Sequence, residues 1–289
     1  MQESAPLYAA PWWLDATCGR NGWEVYAFRD EEKLIAVLPY QKTSLRGMPA
    51  IINPYMSQWL PILRVGDHLN ISLDDFFNSL PSFSILDVSF KPEGTVSLSG
   101  QHFPVNSRYS YLIDARQSKE QIRSKYNAGL RRNLREAEKK YTIRETADIN
   151  TFLLLCHSTY RQRKMKSPIW LETVPREVYK TLMDHQRGRL EVALLNGKPI
   201  AGIMTAWDKE MGYYLLGGRT RDDEGISAHA FLLDHAIAMA NGEGRSFDFE
   251  GSMHPGIAVF FQSFGAVPTA YWQIKKFKGM GKIWSILHK

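Results

Sequence analysis

Two hydrophobic rhythms alternate along the chain. Apolar residues at every second position predict strands at Trp23–Phe28, Lys33–Gln41, near Met48–Asn53 and at Ser84–Phe90. The first two are joined by Arg29-Asp-Glu-Glu, which reads as a hairpin turn. Pro11 opens a short helix over 11–18, and Ser72 can cap another through about Leu80. Between them Pro54-Tyr-Met-Ser-Gln-Trp-Leu-Pro61 reads as an aromatic loop, and 95–113 as further strand broken by Pro104. Steps of three and four then take over. Ile122, Tyr126, Leu130, Leu134 and Ala137 form one apolar stripe, so a single long helix is expected over about 118–140. Ser118 and Gln121 have capping-box spacing at its start, and Gly129 lies inside it, where a close backbone approach would explain a glycine.

From Tyr141 the pattern restarts. Tyr141–Glu145 predicts a strand, 149–162 and 175–187 helices, and Leu190–Leu195 with Lys198–Trp207 a hairpin turning at Asn196-Gly197. Met211–Gly217 is a third strand, 226–241 a helix capped by Ser227, and 267–277 closes the chain with one or two strands. Before that closure, Phe247 and Phe249 alternate with Asp248 and Glu250, so two carboxylates share the other face of a strand. Gly251-Ser252 turns the chain, and Pro255 starts a helix over 256–263 that Gly265 stops.

The 289 residues, 44% of them apolar, suffice for two packed domains. The net charge of +6 is local. Residues 119–144 hold nine Lys and Arg against three Glu, and Arg161, Arg163, Lys164 and Lys166 follow, so an anionic partner at one place is expected. Cys18 and Cys156 are far apart, no leader precedes the first strand and no apolar run approaches the roughly 18 residues of a span. A soluble, cytoplasmic protein is the expectation. No His, Cys and carboxylate cluster has metal-ligand spacing, so no metal is expected.

The order of elements and several local stretches resemble the FemAB-like branch of the GNAT acyltransferase superfamily. The stretches are Asn127-Ala-Gly-Leu-Arg-Arg-Asn-Leu-Arg-Glu-Ala-Glu-Lys139, Thr159-Tyr-Arg-Gln-Arg-Lys164, Asn196-Gly-Lys-Pro-Ile-Ala-Gly202 and Tyr55-Met-Ser-Gln-Trp59. Phe247-Asp-Phe-Glu-Gly-Ser252 with Gly256, Ile257, Phe260 and Phe264-Gly265 is the most specific. The resemblance implies an α/β fold with a mixed sheet, built as two tandem GNAT-like (acyl-CoA N-acyltransferase) domains of which the N-terminal one is abbreviated. They would occupy 1–114 and 141–289, with a basic linking helix at 115–140. It also implies transfer of an acyl or aminoacyl group to an amine. FemAB proteins use aminoacyl-tRNA to extend peptidoglycan precursor peptides; other GNAT enzymes use acetyl-CoA. Two further readings stand beside it: an acetyl-CoA-dependent N-acetyltransferase, and a non-catalytic module for RNA or another polyanion. Where a CoA-binding loop would lie, the chain reads Arg219-Thr-Arg-Asp-Asp-Glu-Gly225, and Asp222, Asp223 and Glu224 would repel a pyrophosphate.

Amine acylation needs a place for a proton, and Asp248, Glu250 and His254 are the candidate catalytic residues. Ser252 could donate to a substrate oxygen and Tyr271 line the acceptor site. Arg131, Arg132 and Arg135, preceded by Lys125 and Tyr126, are candidate phosphate binders, and Arg161, Arg163 and Lys164 could complete the anion site. The expected ligand is a phosphate-bearing small molecule or tRNA, with no tightly bound cofactor and the acyl donor either aminoacyl-tRNA or acyl-CoA.

Overall fold

A computed structural model describes residues 5–65, 73–92, 105–114, 116–251 and 253–282. Its contacts gather into two compact units. One combines Ala5–Arg108 with the tail from Ala270, and the other is Tyr109–Thr269.

The first unit begins with α1 (Pro11–Cys18), whose Pro11 occupies the first helical turn as its missing N–H allows. It continues through β1 (Trp23–Asp30), β2 (Lys33–Leu45), β3 (Met48–Ile52), β4 (Leu60–Arg64), α2 (Leu73–Asn78) and β5 (Ile85–Pro92). β1, β2 and β3 form an antiparallel meander, β3 and β4 both run parallel to β5, and the last strand of the chain lies antiparallel to β5. Leu38, Tyr40, Ile51, Phe76, Phe77, Phe90 and Ile274 fill its core. The sequence reading ended the aromatic loop at Pro61 and missed β4. The prolines at 54 and 61 conceal it: Pro61 cannot donate to a ladder, yet it is tolerated in a short strand that pairs with β2 only at Ala36 and Val37. Ser72 and residues 95–104 lie outside the described residues.

The second unit contains β6 (Val105–Ile113), which enters it at Tyr109, then α3 (Lys119–Ser124), α4 (Ala128–Lys140), β7 (Thr142–Glu145), α5 (Ile149–Gln162) and α6 (Val174–Asp184). β8 (Gly188–Leu195), β9 (Lys198–Trp207), β10 (Met211–Arg219), α7 (Asp223–Gly242), β11 (Ser246–Asp248) and α8 (Pro255–Gln262) follow. β12 (Val267–Phe277) is the strand that completes the first unit's sheet. The second unit's sheet is an antiparallel β7-β8-β9-β10 meander, extended by β11 parallel to β10 and by β6 antiparallel to β11. Asn196 and Gly197, both at positive φ, close the β8–β9 hairpin as their dipeptide predicts.

The expected helix over 118–140 is two helices. The capping box of Ser118 and Gln121 starts α3, but Asn127 leaves the helix and its side chain accepts the Leu130 N–H, opening α4. Arg131 reaches back to the Ser124 and Tyr126 carbonyls, satisfying acceptors that the break exposes. The uninterrupted apolar stripe hid this break, because both helices face the same core. Gly129 approaches nothing closer than the Asn127 side chain, so its explanation is the turn beside it and not a packed backbone.

Likewise α7 is capped by Asp222 and not by Ser227. The Asp222 carboxylate accepts the Gly225 N–H at 2.8 Å, and Asp223 and Glu224 fill the first turn, where negative charge complements the helix dipole. Ala228, Leu232, Leu233, Ala236, Ile237 and Ala240 then face the core shared with Leu130 and Leu134 of α4 and Phe261 and Phe264 of α8. On β10, Gly218 permits the α5 backbone to close in: a Cβ there would lie 2.2 Å from the Cys156 nitrogen.

Candidate functional site

Sheet pairing in the second unit opens a gap beside β10. β9 follows β10 along its whole length to Arg219, but β11 pairs with it only from Met211 to Tyr213. Beyond Tyr213 the chain leaves β11 through Glu250 and Gly251, both at positive φ. Two consecutive left-handed residues, the first with a side chain, turn the backbone sharply away; such strain concentrates where a structure keeps a site open. Among the described residues no strand covers the β11-facing edge of β10 from Tyr214 to Arg219. A register shift between Tyr214 and Leu216 makes Leu215 a bulge on that segment. Backbone N–H and C=O groups along this edge therefore lack a strand partner, which is the arrangement that can receive a planar amide or ester group.

Tyr214 and His229 meet at the start of the open edge. The Tyr214 hydroxyl and His229 Nε2 share a 3.0 Å hydrogen bond, and their rings pack edge to face with Phe260 and Phe261 nearby. Gly217 makes room for them: a Cβ would come within 2.2 Å of the Tyr214 hydroxyl and 2.4 Å of His229 Cε1. Burial, helped by the charges of Arg219 and Arg163 and opposed by the Gly218 backbone, pushes His229 down to about 4. Its imidazole is neutral at neutral pH. Burial pushes the Tyr214 phenol well up, so it stays protonated.

Positive charge gathers beside this pair. Arg219 ends β10, and its own N–H is held by Thr159 of α5 at 3.0 Å while its carbonyl accepts from Gln162 at 3.1 Å. Burial and the nearby Arg163 charge both lower the Arg219 guanidinium from its ordinary value, while Asp222 opposes them. Two guanidinium groups that repel one another suit an anion between them. At the helix start close by, Asp222 accepts the Gly225 N–H, and Glu224 accepts from Lys140 and Tyr141.

The residues singled out from the sequence are scattered by comparison. Asp248 is buried, accepts the Ser110 hydroxyl and takes the Glu250 N–H at 2.8 Å. Those bonds tie the end of β11 to β6 and to the turn beside the gap. Glu250 is half-buried at positive φ in that turn, and His254 is exposed at the N-cap of α8 without capping it. Ser252 lies outside the described residues. Tyr126 is a core residue: its buried hydroxyl donates to Asp234 at 3.0 Å and its ring packs on Phe264. Lys125 donates to Gln117, and Arg131 is committed to the helix break. Arg132 and Arg135 are exposed on α4. Arg161 and Lys164 are exposed at the end of α5, beside Arg163. Tyr271 belongs to the first unit, where it receives a hydrogen bond from Gln58 at 3.2 Å.

Of this cluster the sequence reading names Arg163 alone; Tyr214, His229 and Arg219 are not among its candidates. The available signals were slight: a Tyr-Leu-Leu-Gly-Gly run whose two glycines serve no turn, and a lone histidine on the apolar face of α7. Among the described residues no group of three metal-ligating side chains sits together, and no helix is long and apolar enough to cross a membrane.

Comparison with known proteins bears on the fold. Residues 124–255 match the family model for the acetyltransferase (GNAT) domain. No curated protein matches the chain by sequence. Among solved structures, FemX is similar with a TM-score of 0.64 at 11% identity, over 96% of this chain and 93% of its own. The C-terminal domain (DUF2156) of a putative lysylphosphatidylglycerol synthetase from Agrobacterium fabrum gives 0.55 at 11%, over 95% and 90%. L-PGS from Bacillus licheniformis gives 0.52 at 10%, over 92% and 88%. The fold is the GNAT acyltransferase fold, in the form that FemX shares over nearly the full length of the chain.

Proposed function

We propose that the protein is an N-acyltransferase of the FemAB-like kind, and that transfer takes place along the open edge of β10 in the second unit. The observation that carries this reading is the separation of β10 from β11 beyond Tyr213, with the Leu215 bulge on the freed edge. In the reaction an amine nitrogen attacks the carbonyl carbon of an activated acyl group. The new C–N bond forms, the bond from that carbon to the leaving oxygen or sulfur breaks, and the nitrogen's proton ends on the leaving group. Edge N–H groups of β10 would stabilise negative charge on the carbonyl oxygen. The Tyr214 hydroxyl, held by His229, would carry the proton between nitrogen and leaving group.

Arg163 and Arg219 would hold the phosphate of the donor. The self-capped, acidic start of α7 favours an aminoacyl ester on tRNA over acyl-CoA, because the N–H that would greet a pyrophosphate is already bound by Asp222. The test is a screen of the purified chain with aminoacyl-tRNA and with acetyl-CoA against primary-amine acceptors, read by mass spectrometry. Aminoacylation of an acceptor, reduced about a hundredfold in kcat by Tyr214→Phe, is expected. Transfer from acetyl-CoA alone would overturn the donor assignment, and transfer indifferent to Tyr214→Phe would overturn the proton route.

A further inference from the structure

The segment after α5 presents an unusual surface. Between Thr159 and Leu171 there is no Asp or Glu, while Arg161, Arg163, Lys164 and Lys166 are all exposed. Among these cations Met165 is 55% exposed and Ile169 is 93% exposed. Here the loop is held so that they point out. His157 of α5 bonds Ser167 at 2.8 Å through Nδ1 and Glu172 at 2.9 Å through Nε2. Lys164 at positive φ turns the chain, the Met165 N–H returns to the Tyr160 carbonyl at 3.0 Å, and fully buried Leu171 anchors the far end.

We propose that this loop, 161–170, docks the protein on an anionic lipid bilayer surface, with Met165 and Ile169 entering the interface and Arg161, Lys164 and Lys166 lying against the headgroups. Charge complementarity supplies the attraction, since cations beside an anionic leaflet bind it additively over a Debye length. The two aliphatic tips decide between lipid and nucleic acid. Bases stack on exposed rings, and the loop's one ring, Trp170, is half-buried while its most exposed apolar side chains, Met165 and Ile169, are aliphatic, the kind an acyl boundary takes directly. The inference is independent of the acyl-transfer reading.

The test is flotation of the full chain with vesicles of phosphatidylcholine mixed with phosphatidylglycerol, and with phosphatidylcholine alone. Association with the mixed vesicles only is expected. Arg161→Gln, Lys164→Gln and Lys166→Gln together should weaken it about a hundredfold, at about fivefold for each cation. Met165→Ser with Ile169→Ser should weaken it about tenfold while leaving every charge in place. These positions are exposed, so circular dichroism should report unchanged folding for both variants. Failure of the full chain to float with the mixed vesicles overturns the proposal. So does an apolar-tip variant that floats like the wild type, or binding of a single-stranded RNA that depends on the same three cations when vesicles are not bound.

Discussion

His229 gives the sharpest physical test of the candidate site. Its imidazole is pushed down from an ordinary 6.5 to about 4, chiefly by burial and then by Arg219 and Arg163. The groups facing it are Tyr214 of β10, protonated, those two arginines and the Gly218 backbone, which alone favours a charged imidazole and is outweighed by burial. The unfolded chain takes up a proton near pH 6.5, whereas the folded chain does not until about pH 4. Stability from His229 is therefore fully present above about pH 6.5 and is lost as the pH falls toward 4. The full linkage corresponds to about 3 kcal/mol, with about 2 kcal/mol already lost by about pH 5, and partial exposure of the ring lowers both figures somewhat. Other groups titrate in the same range, so the useful quantity is a difference. Urea unfolding of the wild type and of His229→Gln, at about pH 7 and about pH 5, should show the wild type losing about 1 to 2 kcal/mol more than the variant. A histidine ring resonance that His229→Gln removes should titrate with a midpoint below about 5 in the folded protein. Parallel stability losses, together with a midpoint between about 6 and 7, would show that the ring is solvated and refute the enclosed Tyr214–His229 pair.

Other consequences follow from the same packing. Gly218→Ala would push a Cβ into the α5 backbone at Cys156, and thermal unfolding should show a loss of more than about 2 kcal/mol, since backbone cannot move aside as a side chain can. Asp222→Ala should cost about 1 kcal/mol through the lost cap on Gly225, and acetyl-CoA affinity measured by calorimetry should rise if the carboxylate is what excludes a pyrophosphate. Tyr126→Phe should cost about 1 to 2 kcal/mol by removing a donor from buried Asp234, with acyl transfer unchanged per folded molecule; a selective loss of transfer would restore Tyr126 to the binding site.

Much of this fold is visible in the residue pattern, because its strands and helices obey the periods that burial imposes. The β8–β9 hairpin follows from Asn196-Gly197, and α5 runs over the 149–162 that the sequence predicts. What stayed hidden was decided by tertiary contact. The break at Asn127 leaves the apolar stripe unchanged, and β4 is a strand because β5 lies beside it. The destination of the last strand is equally invisible: nothing in Val267–Phe277 tells that it pairs with Ile85–Phe90 and so joins the first unit. The site shows the same limit. Asp248 and Glu250 stand out as acids on a strand, but the pattern does not tell that Asp248 is buried and bonded to Ser110 and to the Glu250 N–H. Tyr214 and His229 become neighbours only through the packing of α7 on β10, which Gly217 makes possible. The acidic run at 222–224 stands out in the sequence as a charge cluster, and the structure gives it a local role at the self-capped start of α7.

Hydrogen exchange along β10 tests the central claim most directly. Without a strand partner on one side, amide groups on the β11-facing edge from Tyr214 to Gly218 should exchange faster than those bonded to β9, the Arg219 N–H being held by Thr159. A non-reactive analogue of whichever donor supports transfer should slow exchange on that edge and leave the β9-facing amides unchanged. Protection elsewhere, with the β10 edge untouched, would contradict the assignment of transfer to this gap.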